Sequence, residues 1–126
     1  MSLPYEANSV DEIIAIHVYE HIVPWKVEET TQHWFNILKP GAKLILEMPD
    51  LVKVLGFFKQ EKPPLSHTMY ALYGGEPMGR VEDLHKWCWT FKTIEPLLKK
   101  VGFTEIVEKT AQYHFPERDF RVEATK

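Results

Sequence analysis

Apolar positions along the chain fall into two rhythms, short runs and a spacing near 3.6, and their alternation predicts strands and helices in turn. The run V-D-E-I-I-A-I at Val10–Ile16 predicts a first strand, with Asp11 and Glu12 at its entry. Val27, Trp34, Phe35 and Leu38 recur near a helical spacing and predict a helix over 27–38. Pro24 is expected to interrupt any helix begun after His21. Pro40-Gly41 then turns the chain into a strand over 42–48, which Pro49 closes. Leu44, Ile45 and Leu46 form a continuous apolar run, the pattern of a strand covered on both faces. Such sheets are mostly parallel and need crossover helices, so the pattern predicts an α/β layer fold.

Leu51, Val54, Leu55 and Phe58 mark one face of a short helix over 51–59. The stretch 60–89 is punctuated by Pro63-Pro64, Gly74-Gly75, Pro77 and Gly79, and only 67–73 has a helical pattern. A connection that long points to a lid or binding segment. Thr90 is placed to cap a helix over 91–101, which Pro96 should kink and Gly102 should stop. Strands are expected at 103–109 and 120–125, the last with one face wetter than the first two, and residues 112–116 connect them. Nothing repeats, and no linker divides the chain, so residues 1–126 are read as a single domain.

Composition narrows the function classes. The 126 residues are 44% hydrophobic and 26% charged, ordinary for a globular domain, and the net charge is -3. That charge and the scatter of basic residues speak against nucleic acid or an anionic membrane as partner. Cys88 is the only cysteine, so no intrachain disulfide forms and a cytoplasmic setting is expected. No apolar run approaches the ~20 residues of a membrane-spanning helix.

The densest chemistry lies in His17-Val18-Tyr19-Glu20-His21. Written H-x-x-E-H, it matches the inverted zinc-peptidase signature, in which two histidines one helical turn apart hold the metal and the Glu acts as base. That chemistry needs a sustained helix and a third ligand from another helix. Here a strand enters at His17 and Pro24 follows closely, so no metal is assigned. A blander reading has Glu20 and His21 cap the following turn. His67, His85 and His114 share no spacing and read as surface or loop residues, and Cys88 lacks a histidine to activate it.

Taken in order, four stretches resemble the C-terminal half of a class I S-adenosylmethionine-dependent methyltransferase. They are Leu3-Pro4-Tyr5 with Asn8-Ser9-Val10-Asp11, His17-Val18-Tyr19-Glu20-His21, Ile37-Leu38-Lys39-Pro40-Gly41 leading into Leu44-Ile45-Leu46-Glu47, and Leu97-Leu98-Lys99-Lys100-Val101-Gly102-Phe103. The resemblance implies a partial Rossmann-like sheet of about four strands, mostly parallel with an antiparallel last strand and flanked by helices. It implies S-adenosylmethionine as cofactor and a small or glycan-like methyl acceptor. The family's glycine-rich cofactor turn has no counterpart here, since the sequence holds no G-x-G and Gly74-Gly75 follows no buried strand. The chain is therefore read either as part of a longer enzyme or as a reduced protein without cofactor binding.

By the same resemblance, Ile16 and His17 would line the methionine side of the cofactor, while His17, Glu20 and His21 would orient the acceptor or take its proton. Read from the sequence itself, Trp87 and Trp89 with Phe91 either floor an acceptor pocket or, as aromatics at that density more often do, belong to the core. Tyr113 and His114, on a short Pro-bounded loop before the last strand, are candidate acceptor contacts. The strands absent from this sequence would lie beside Val10–Ile16 and leave that apolar edge open. A homodimer through this edge is the expectation.

Overall fold

A computed structural model describes residues 2–60, 65–75 and 79–126, with side chains omitted at 65–67. Pro63, Pro64 and Pro77 of the long connection lie outside the described residues. The chain runs β1 (Val10–Ile16), α1 (Pro24–Ile37), β2 (Leu38–Pro49), α2 (Leu51–Lys59), α3 (Leu65–Tyr73), α4 (Phe91–Val101), β3 (Thr104–Thr110) and β4 (Asp119–Thr125). A single 3-10 turn, Tyr19–His21, follows β1. The four strands form one sheet in the order β1-β2-β4-β3. β1 and β2 are parallel, and β4 runs antiparallel to both of its neighbours. Three strands thus share one direction and the last opposes them, the mixed α/β sheet expected.

β2 begins at Leu38, so Pro40-Gly41 falls inside the strand, where its register with β1 shifts, and not in a turn before it. Two further elements differ from expectation for clear physical reasons. Pro24 begins α1 instead of interrupting it, because the first helical position needs no backbone N–H and suits the fixed φ of proline. β4, expected to have a wetter face, is almost wholly buried because it lies between β2 and β3; the exposed strand is the edge strand β3.

Alternation sorts the sheet into two unlike faces. Ile13, Ala15, Leu44, Leu46, Met48, Phe120, Val122 and Ala124 share the core with Trp34 and Ile37 of α1 and Ile94, Leu98 and Val101 of α4. Burying an aliphatic side chain of this size contributes about 1.5–3 kcal/mol, so this face carries the fold. α4 is set by a capping box between Thr90 and Thr93 and ends at Gly102, whose φ is +122°. The other face bears an ionic ladder. Glu47 on β2 takes a 2.9 Å hydrogen bond from Arg121 on β4, Arg121 also reaches Glu123, and Lys109 on β3 pairs with Glu123 at 2.8 Å. The second face of β2 is therefore covered as its apolar run implied, yet next to Ile45 it buries a carboxylate. Along β1 that face is open, with Ile14 at 47% exposure.

Candidate functional site

β1 and β2 end on the same side of the sheet, and antiparallel β4 begins there. In open α/β sheets this rim is where ligands bind. His17 leaves β1 with φ +53°, a left-handed backbone that side chains other than glycine adopt at a cost, and its N–H donates to the Glu47 carbonyl at 2.8 Å. Strain held in place by surrounding structure is a mark of functional positions.

His17 is clamped by two buried carboxylates. Its Nε2 lies 2.8 Å from Asp119 Oδ2 and its Nδ1 2.8 Å from Glu20 Oε1. The Arg118 guanidinium binds both oxygens of Asp119, and its Nη2 stands 3.4 Å from His17 Nε2. Burial alone would depress the imidazole. The hydrogen bond that His17 donates to Asp119 and the contact with the Glu20 carboxylate outweigh it and push the His17 pKa up to about 9. Asp119 moves the opposite way: burial favours its neutral form, but His17 and Arg118 hold its carboxyl below the usual range. At neutral pH His17 is therefore an imidazolium with both nitrogens engaged. An imidazolium so engaged has no free lone pair with which to take a proton.

Glu20 is 2% exposed. Its contact with His17 is close enough for an ion pair but not aligned along an N–H bond, so neither Glu20 oxygen has a directed hydrogen bond. Its backbone carbonyl accepts from Lys86 N at 2.6 Å and Trp87 N at 3.2 Å, which pins the 3-10 turn to the segment 83–87. That pinning carries His85 to His21, ring against ring at 5.0 Å, while His21 Nδ1 bonds the Leu84 carbonyl. Burial lowers the His85 pKa below its ordinary value despite Glu20 nearby.

Glycine makes the return of this segment possible. Gly74 has φ +71°, and a Cβ there would lie 2.7 Å from His85 Cδ2 and closer still to the Asp83 carbonyl oxygen. The space beside Gly74 is filled by the chain itself, so this glycine serves packing and not a bound cofactor. His17, His21, Tyr70, Gly74, His85 and Arg118 are among the residues lining the cleft of about 350 Å³ that results.

The residues singled out from sequence separate here. His17, Glu20 and His21 come together at the rim, joined by His114, whose ring meets that of His17 edge-on at 4.5 Å. Ile16 is the last residue of β1 beside them. Tyr113 is exposed, while its backbone N–H binds Glu47 Oε2 at 3.0 Å. Trp87 is half exposed. Trp89 does not floor a pocket: it is core, 7% exposed, packed on Tyr19 and donating from Nε1 to the Tyr19 carbonyl. Cys88 is half-buried, with its pKa raised by burial. His17 and His21 do not share a helix, so the paired ligands of an H-x-x-E-H peptidase do not form. Sequence reading missed Asp119, Arg118 and His85. The adjacent Arg118-Asp119 pair opening a strand was a faint signal, and it became meaningful only once β4 was known to lie beside β2.

No protein-family model and no curated protein sequence matches the chain. Solved structures do. An S-adenosylmethionine-dependent methyltransferase of Thermotoga maritima superposes with a TM-score of 0.67 at 18% identity, over 99% of this chain and 60% of the other. Another from Methanosarcina mazei gives 0.63 at 20% identity, over 99% and 63% respectively. A third from Archaeoglobus fulgidus gives 0.64 at 15% identity, over 97% and 62%. The chain thus has the fold of class I S-adenosylmethionine-dependent methyltransferases and spans about 60% of the length of these structures.

Proposed function

We propose that this chain supplies the acceptor-facing part of an S-adenosylmethionine-dependent methyltransferase, with a small or glycan-like acceptor received in the cleft beside His17. The observation that carries this reading is His17 itself, held in a left-handed backbone between Glu20 and Asp119 at the rim where this fold binds ligands. Methyl transfer from a sulfonium depends mainly on in-line positioning. A clamped imidazolium that fixes the end of β1 suits that task better than proton abstraction.

Among the described residues, Gly74 and Gly75 offer no cradle for the cofactor. Gly74 packs against Asp83 and His85, a Cβ on Gly75 would meet Leu84, and both ring nitrogens of His17 are engaged. We therefore expect the 126 residues alone to bind S-adenosylmethionine weakly or not at all, and derive no step through it. Calorimetric titration tests this. An absence of saturable heat is expected, and micromolar affinity would overturn it. If the reading frame continues upstream into a strand, a G-x-G turn and a helix, a chain extended to include them should bind the cofactor. An extended chain that folds without binding would count against the enzyme reading.

A second reading is a non-catalytic, self-associating protein. Among the described residues β1 pairs with β2 alone, which leaves its outer backbone edge unpaired, and Ile14 on the open face beside that edge is 47% exposed. In this reading two copies join about a two-fold axis through Val10–Ile16. Light scattering that reports a monomer at working concentration rules it out.

A further inference from the structure

We propose that Glu20, His21 and His85 form a binding site for a divalent transition metal, zinc by its ligand chemistry, with a fourth coordination position open to the cleft. One carboxylate oxygen and one nitrogen from each ring lie within 4.8 Å of one another. Zinc ligands about 2.0–2.2 Å from the ion stand about 3.4 Å apart in a tetrahedron, so small side-chain rotations close the shell. Two imidazoles and a carboxylate suit zinc better than magnesium or calcium, which prefer oxygen.

Three further features favour an ion here. Glu20 is 2% exposed, and beyond the 2.8 Å contact of Oε1 with His17 its oxygens have no directed hydrogen bond, so the buried carboxylate has capacity left for a cation. His21 Nδ1 donates to the Leu84 carbonyl at 3.2 Å, which leaves Nε2 as the lone-pair nitrogen and fixes its ring as metal-bound histidines are commonly fixed. The ligands also come from segments that the backbone has already joined, through Lys86 N and Trp87 N on the Glu20 carbonyl and His85 N on the Tyr73 carbonyl. The ion would not have to gather distant loops. Because His21 and His85 also line the cleft, a three-ligand site leaves room for water or a ligand oxygen or sulfur in the fourth position.

The inference does not depend on methyl transfer and is tested on the metal alone. Zinc titrated into metal-free protein should bind 1:1 with a Kd of about 1 µM or tighter. His21→Gln and His85→Gln should each weaken binding at least about tenfold. His33→Gln, which alters a histidine bonded to the Leu3 backbone, should leave binding unchanged. Cobalt added to the wild-type chain should give the visible bands of a four-coordinate site, a readout that needs no variant to fold. The proposal is overturned by the absence of saturable binding at about 100 µM zinc, far above the expected Kd. It is equally overturned by tight binding that survives both histidine substitutions, or by cobalt spectra of the six-coordinate aqua ion.

Discussion

His17 Nε2 and Asp119 Oδ2 lie 2.8 Å apart although 102 residues of chain separate them. The contact exists because β4 folds back antiparallel beside β2 and delivers its first residue to the rim where β1 ends. The imidazole also faces Glu20, Arg118 and the ring of His114.

This pair predicts how stability depends on pH. The His17 pKa stands at about 9 in the folded chain against 6.5 when unfolded. A raised folded value means the stabilisation is complete below pH 6.5 and is lost as pH rises from there to about 9. Urea unfolding should show stability falling across that window. Asp119→Asn should flatten the slope and bring the His17 titration, followed by its ring proton resonances, back toward 6.5. An unchanged titration in the variant would remove Asp119 as the cause.

Much of this architecture was legible in the sequence, and the reasons are local. Val10–Ile16 was bounded by turn residues, Thr90 and Gly102 marked both ends of α4, and Leu44 to Leu46 announced a covered strand. The site was legible only in part. His17, Glu20 and His21 were visible because they cluster within five positions. Their partners Asp119 and His85 come from 102 and 65 positions beyond His17 and Glu20, and nothing in local pattern predicts such a meeting. The Trp87 and Trp89 pair divides in a way local pattern did not show: residues two apart share a face of an extended segment, yet Trp87 is 50% exposed while Trp89 packs on Tyr19 in the core.

Glu47 gives a prediction on how the rim is supported. It is fully buried, takes Arg121 at 2.9 Å, and accepts from the backbone N–H groups of Gln112 and Tyr113 at 2.8 and 3.0 Å. Glu47→Leu strands two amides and leaves the buried Arg121 guanidinium with Glu123 alone, and should cost about 3 kcal/mol in urea unfolding. Adding Arg121→Leu should recover part of it, since the buried charge that lost Glu47 is then gone and Glu123 keeps Lys109. If the two changes merely add, the ion pair is not what holds them.

Two glycines with similar backbones should respond differently to substitution. Gly41 has φ +82° and open space around its absent Cβ, whereas Gly74, at φ +71°, faces His85 and the Asp83 carbonyl. Gly41→Ala should cost only the backbone penalty, about 1–2 kcal/mol. Gly74→Ala adds a collision with backbone and should cost about 3 kcal/mol or more while shifting the His85 ring resonances. Equal costs for the two variants would mean that segment 83–85 yields without resistance.

The tryptophans offer the sharpest division between fold and surface. Trp89 is 7% exposed, stacks edge-on near Tyr19 at 6.1 Å and bonds its carbonyl, whereas Trp87 is 50% exposed. Trp89→Ala should therefore cost about 3–5 kcal/mol through the cavity and the lost packing. It should also loosen the Tyr19–His21 turn that presents Glu20 and His21. Trp87→Ala should cost less than about 1 kcal/mol, because most of its ring already meets water. Thermal unfolding of the two variants separates them directly. A Trp87 variant as unstable as the Trp89 variant would show that the half-exposed ring closes the small cavity it shares with Glu20, Val54 and Cys88 more tightly than its exposure suggests.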